Sequence, residues 1–228
     1  MSNALVGDAS VLAGVLQDQL RQLRDGSLSL EALSGFVAHR HIRRFALGET
    51  QDNAFKDLRE KWEDDYACDL SDALIPEHQE GLDWLLIVRK DLWPNEAYER
   101  LGRLKIPTYR YMDDLNSIMS VREPLERSYG VWLRKGQEAD ADFRNKSFND
   151  LWRKVNGITV TERLVAERDW FKETNGGHLD EKSWTLCTGS RYSDGNVPTV
   201  NWYDDKVNVH WLDHVHADPG IGARQAVS

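Results

Sequence analysis

The chain has no run of eighteen apolar residues, and its two cysteines, Cys68 and Cys187, form no CxxC pair. The first absence excludes a hydropathic membrane-spanning helix. The second excludes a zinc ribbon or dithiol motif and leaves two buried, reduced thiols as the expectation. No secretory apolar region opens the sequence, so a soluble, cytoplasmic protein is expected. Positive charge is also short: 29 Lys and Arg stand against 38 Asp and Glu, a net charge of −9. No basic face for nucleic acid or an anionic membrane is expected from that balance. Gly-x-Ser-x-Gly, P-loop and Gly-x-Gly-x-x-Gly signatures are missing. The paired acids Asp64-Asp65 and Asp113-Asp114 read as solvated residues, and Gly189-Ser190-Arg191 has no assignable base. No enzyme and no cofactor are expected.

What is present supports a folded core: 40% hydrophobic residues, nine of them Trp, in 228 residues. Apolar residues at Val11, Leu12, Val15, Leu16, Leu20 and Leu23 have helical period, as do Leu30, Leu33, Phe36 and Val37 after a Ser27 or Ser29 cap. The cluster Arg40, His41, Arg43 and Arg44 reads as a solvated helix end. A third helix is expected through Ala54, Leu58 and Trp62. The run 82–88 fits a buried strand, Pro94 a helix start, and 106–111 and 129–133 extended pieces. Ser147 with Asp150 is close to a capping box, and Thr159 to Glu162 opens another helix that Asn175-Gly176-Gly177 stops. Strands follow at 184–187, 197–202, 207–212 and 224–227, with a hairpin turn at 203–206 and a loop at 215–222. The fold class is α+β. A helical N-terminal region over 1–75 precedes a domain over 76–228 that carries a small antiparallel sheet.

The segment 188–223 follows a different compositional rule. It has no Glu, Gln or Met and is rich in Asn, Asp, Tyr, His, Gly, Val and Thr. An AAC or AAT codon mutated at its adenines reaches all of those residues but none of Glu, Gln, Lys, Met or Trp. Only Trp202, Lys206 and Trp211 fall outside the permitted set. A Gly- and Asn-rich β segment with loops disfavours Glu and Gln as well, so composition alone leaves both readings open. Alternation adds a physical argument. Val200, Trp202, Val207, Val209 and Trp211 form a constant apolar face, expected to be buried. The opposite face and the turns carry residues that can change without loss of the core.

The stretch from Leu186-Cys187-Thr188-Gly189-Ser190-Arg191 through Val197-Pro198, Trp202 and Trp211 to Ala223-Arg224-Gln225-Ala226-Val227 resembles the C-terminal segment of variable proteins encoded by diversity-generating retroelements. In that family a reverse transcriptase copies a template with errors at adenines, and the copy replaces the 3′ end of the target gene. The resemblance implies a C-type-lectin-like fold over 76–228, a hypervariable region over about 188–223 and ligand binding through its displayed side chains. It covers about the last 45 residues. Thr188-Gly189-Ser190-Arg191 stands where one branch has Gly-Gly-Ser-Trp, and the Glu-Pro-Asn sugar and calcium motif is missing, so sugar binding is not implied.

The expected ligand-contacting residues are therefore Tyr192, Asn196, Thr199, Asn201, Tyr203 and Asp205, then Asn208, His210, Leu212, His214 and His216. Tyr and His would supply flat amphipathic contacts, and Asn, Asp and Thr hydrogen bonds, toward a protein or other macromolecular ligand. The competing reading is a metal site. His210, Asp213, His214 and His216 lie within seven residues and could hold zinc, nickel or copper. His210-x3-His214 is helical spacing, however, in a context flanked by Pro and Gly. No metal centre is expected, and the displayed side chains should fan outward.

Overall fold

In the run of apolar residues at 82–88, Trp84–Val88 forms strand β3, buried along its whole length. It lies antiparallel to β6, Tyr129–Leu133, which is equally buried. The computed structural model describes residues 44–46, 53–122 and 127–228. The helices expected over 9–24 and around 30–37, and the basic residues 40–43, lie outside the described residues. Arg44–Ser228 makes one compact unit.

The unit is α+β. In the first sheet β3 covers one edge of β6. The other edge pairs with β2, Leu74–Pro76, at one end and with β12, Ala226–Val227, at the other. β1, Arg44–Ala46, pairs antiparallel with β2. Helix α1, Asn53–Tyr66, buries Trp62, and its Lys61 reaches Asp169 at 2.7 Å. Residues 53–75, expected in the N-terminal region, are thus built into this unit.

The second sheet runs β11–β7–β9–β10–β4, with β4 Thr108–Arg110, β7 Trp184–Leu186, β9 Val197–Tyr203, β10 Lys206–Leu212 and β11 Ile221–Ala223. The expectation of an antiparallel sheet needs correction. β7, β9 and β10 are antiparallel, but both outer strands, β4 and β11, pair in parallel. A hairpin can only make antiparallel neighbours, whereas a partner separated by a long excursion can enter either way. β4 and β11 arrive by such excursions. The loop expected over 215–222 is likewise shortened by β11. A third pairing joins β5, Met119–Ser120, to β8, Ser190–Arg191.

Helix α2, Pro94–Arg103, starts on its proline, whose missing N–H costs nothing in the first turn. The single-turn α3, Phe148–Leu151, and the longer α4, Val160–Glu173, both open on complete capping boxes, Ser147 with Asp150 and Thr159 with Glu162. α4 contacts α2, β3 and β9, so it lies between the two sheets. Nearly all of its first ten residues are buried, polar ones included.

Those polar residues form a closed ion network. The Arg163 guanidinium meets Glu167 at 2.8 Å and Asp180 at 2.9 Å. Asp180 also accepts from Arg224 at 2.7 Å and from the Thr185 hydroxyl at 2.5 Å. Arg224 donates onward to the Gly136 and Gln137 carbonyls. Burial raises the Asp180 carboxyl, but Arg224 and Arg163 more than reverse this and hold it below the usual carboxylate range. The network ties the chain's last strands to α4.

Candidate functional site

The β9–β10 hairpin sorts its side chains by parity. Tyr203 opposes Lys206, Asn201 opposes Asn208, Thr199 opposes His210 and Val197 opposes Leu212 on one face. Trp202 opposes Val207, Val200 opposes Val209 and Pro198 opposes Trp211 on the other. The division is the one expected from alternation. The turn itself holds Asp204 at φ 51° and Asp205 at φ 55°, the paired left-handed conformation of a type I′ hairpin.

The valine face looks toward α4. Thr185, in register with Val200, bonds Asp180 of the ion network. The Trp202 ring stacks on His178 with centroids 3.4 Å apart, and His178 Nδ1 lies 2.8 Å from Glu167 of α4. Val200, Val207 and Val209 are fully buried, and Trp202 is partly so. Trp211, expected to be buried with them, is 39% exposed. β4 pairs only as far as Val209, so Trp211 lies beyond that pairing and rests edge-on against Tyr111.

The opposite face is less open than expected. Thr199 is 1% exposed, and Asn201, Asn208 and Tyr192 are buried too. Two causes account for this. β9 is the middle strand of five, shielded on both sides. Phe148 of α3 also packs with Leu186, Val197 and Ile221, and Leu212 and Trp184 lean on that cluster, which roofs this end of the face. The Asn208 amide is turned inward, donating to the Tyr203 carbonyl at 2.7 Å and the Lys206 carbonyl at 2.9 Å, where it fastens the hairpin turn. Burial pushes the Tyr192 phenol up to about 12. These four residues are therefore not displayed. Tyr203, Asp205 and His216 are exposed, while Asn196, His210, Leu212 and His214 are partly so.

What the face does present is a set of rings around His210. Its imidazole lies 5.6 Å from Tyr109, 6.3 Å from Tyr111 and 5.9 Å from Trp184, centroid to centroid. Tyr109 reaches this face because it is the register partner of Asn208 across the β4–β10 pairing. Tyr111 is 60% exposed and leads on to Trp211. Burial lowers the pKa of His210, which favours the neutral ring and a continuous π surface. Beside it on β9 the buried Thr199 hydroxyl has no hydrogen-bond partner among the described residues. Tyr109, Tyr111 and Trp184 were not among the expected contacts. Their signal was Tyr109-Arg110-Tyr111, two rings two residues apart on an extended piece, but nothing local shows which strand lies beside it.

The histidines do not gather. His210 is held among rings, His214 Nδ1 lies 3.4 Å from its neighbour Asp213, and His216 is exposed. Among the described residues no group of three or more His, Cys, Asp or Glu is placed to hold a metal ion. One acid of each pair has a structural partner: Asp65 meets Arg168 and Lys172, and Asp114 caps the turn Leu115–Ser117, while Asp64 and Asp113 are exposed. Both cysteines are unpaired. Cys187 is buried with its thiol pushed up by burial, whereas Cys68, expected to be buried, is partly exposed. No family model, curated protein or solved structure matches the chain.

Proposed function

We propose that the protein is a non-enzymatic binding protein whose β10 face takes a macromolecular ligand, and that residues of about 188–223 are diversified by adenine-directed retroelement mutagenesis on a C-type-lectin-like scaffold. The observation that carries the reading is the half-exposed cluster of Tyr109, Tyr111, Trp184 and His210 on a hairpin fixed from behind. Tyr, Trp and His supply large, stiff contact area at low entropic cost, the composition that suits adaptable binding surfaces. Tyr203, Asp205, Leu212, His214 and His216 border it and can change without touching the valine face. Tyr192, Thr199, Asn201 and Asn208 belong to the scaffold in this reading. The ligand is a protein rather than a nucleic acid, since the net charge is −9. No helix among the described residues is long and apolar enough to cross a membrane, and two unpaired thiols suit action in the cytoplasm.

The test is selection of a displayed peptide library on the full chain. Enriched binders should lose at least tenfold in affinity against Tyr109→Ser/Tyr111→Ser/His210→Ser. They should keep it against Trp93→Ser, an exposed aromatic outside this cluster. Binders indifferent to the triple substitution would remove the reading.

A further inference from the structure

The arginines that leave the surface in this chain nearly all meet a carboxylate. Arg122 pairs with Glu162, Arg163 with Glu167 and Asp180, Arg168 with Asp65, Arg224 with Asp180, and Arg89 and Arg100 with Glu96. Arg191 does not. Its Nε is buried without an acceptor among the described residues, and its guanidinium has only rings for company. Cζ lies 4.3 Å from the Phe148 centroid and 5.6 Å from that of Trp152, and those two rings stack on each other at 5.0 Å. Ring stacking covers the faces of a guanidinium and leaves its N–H edges free. Among the described residues Arg110 and Arg191 are the half-buried arginines without a carboxylate; Arg110 donates to the Asn95 side-chain oxygen instead, which leaves Arg191 as the one to be explained.

Arg191 lines a groove of about 200 Å³ together with Met119, Val121, Phe148, Trp152 and Thr188. Thr188 is 4% exposed, and its hydroxyl also lacks a partner among the described residues. A Cβ on Gly157 would fall 1.6 Å from that oxygen, so the glycine leaves the room the hydroxyl occupies. The groove is apolar apart from these two groups and the short Ser120–Ser190 stretch. An apolar cavity of about 150 Å³ suffices to hold benzene, so this one suits a ring with a short chain.

We propose that this groove, separate from the β10 face, binds a small organic carboxylate: an apolar body seated on Phe148, Trp152 and Met119, with its carboxylate meeting the terminal nitrogens of Arg191. A guanidinium matches a carboxylate fork to fork. Arg191 is the only basic residue among the described residues that line the groove, which favours a monoanion. A phosphate of nearly two charges would keep one uncompensated against apolar walls.

The experiment is calorimetric and NMR titration of the full chain with 4-phenylbutyrate, 4-phenylbutan-1-ol and phenyl phosphate. Phenylbutyrate should bind one per chain and shift the Trp152 indole N–H, assigned through Trp152→Phe. The alcohol and the phosphate should each bind at least tenfold more weakly. Arg191→Met should lose at least tenfold in phenylbutyrate affinity, and Arg191→Lys should lose less. Val121→Glu, at an exposed wall position, gives Arg191 a carboxylate of its own. It should abolish binding without loss of fold, which keeps the test decisive if Arg191→Met does not fold. Equal binding of acid and alcohol, tighter binding of the phosphate, no shift at Trp152, or phenylbutyrate affinity unchanged in Arg191→Met or Val121→Glu would each overturn the assignment.

Discussion

His210 is the residue on which the two readings of the C-terminal segment meet. As a metal ligand it would need a converging imidazole or carboxylate, but it has three aromatic neighbours instead. Its lowered pKa carries a sign for stability. A histidine whose folded pKa is depressed contributes stability that is present above its unfolded pKa and lost as pH falls through the folded one. NMR titration should therefore place His210 below the ordinary histidine range, and His210→Gln should remove that part of the acid sensitivity. A midpoint at or above the ordinary value would contradict its placement among the rings. Asp180 has the same direction at lower pH. Its depressed carboxyl pKa gives stability above the unfolded carboxylate range that disappears as the group is protonated. Removing it leaves Arg163 and Arg224 buried with one partner fewer, and Asp180→Ala should cost about 3–5 kcal/mol in chemical denaturation. A cost within about 0.5 kcal/mol, ordinary for a surface change, would show that the network is not closed in solution.

At the scale of elements, the hairpin was legible and its surroundings were not. Alternation from Val197 to Leu212 separates Val200, Val207 and Val209 from Thr199, Asn201 and His210, because side chains in a strand change face at each residue. Parity does not say which face is covered. Val197 is covered by Phe148 from some fifty residues earlier, and Tyr109 joins the site from about a hundred residues earlier. Sequence pattern reports periods, not which distant segment supplies the next strand or the roof. Helix starts were legible for the converse reason. Ser147 with Asp150 and Thr159 with Glu162 satisfy backbone N–H groups within three residues. Thr159→Ala should cost about 1 kcal/mol, up to 2, since a cap is lost within the core. In the turn, Asp205 holds a left-handed φ that glycine adopts without penalty. Asp205→Gly should stabilise the protein by about 0.5–1 kcal/mol, read as a raised denaturation midpoint with an unchanged slope. A lowered midpoint would argue against the type I′ turn.

For the whole molecule, the ion network of Arg163, Asp180 and Arg224 fastens the C-terminal strands to the helix between the sheets. That anchoring would hold the fold while the exposed side chains of β10 are substituted. Saturation mutagenesis with a folding readout should show the pattern directly. Tyr203, His210, His214 and His216 should tolerate most substitutions within about 0.5 kcal/mol, whereas polar residues at Val200, Val207 or Val209 should abolish folding. Equal tolerance on both faces would mean that the register is wrong. The central claim, an exchangeable surface on a fixed scaffold, is tested most directly by sequencing the DNA that flanks the gene. The account predicts a near-copy of the codons for 188–223 that differs only at adenines. Its differences should fall at Tyr203, Asp205, His210, Leu212, His214 and His216, with the codons of Val200, Trp202, Val207, Val209 and Trp211 unchanged. The absence of any such copy, or differences concentrated on the valine face, would contradict it.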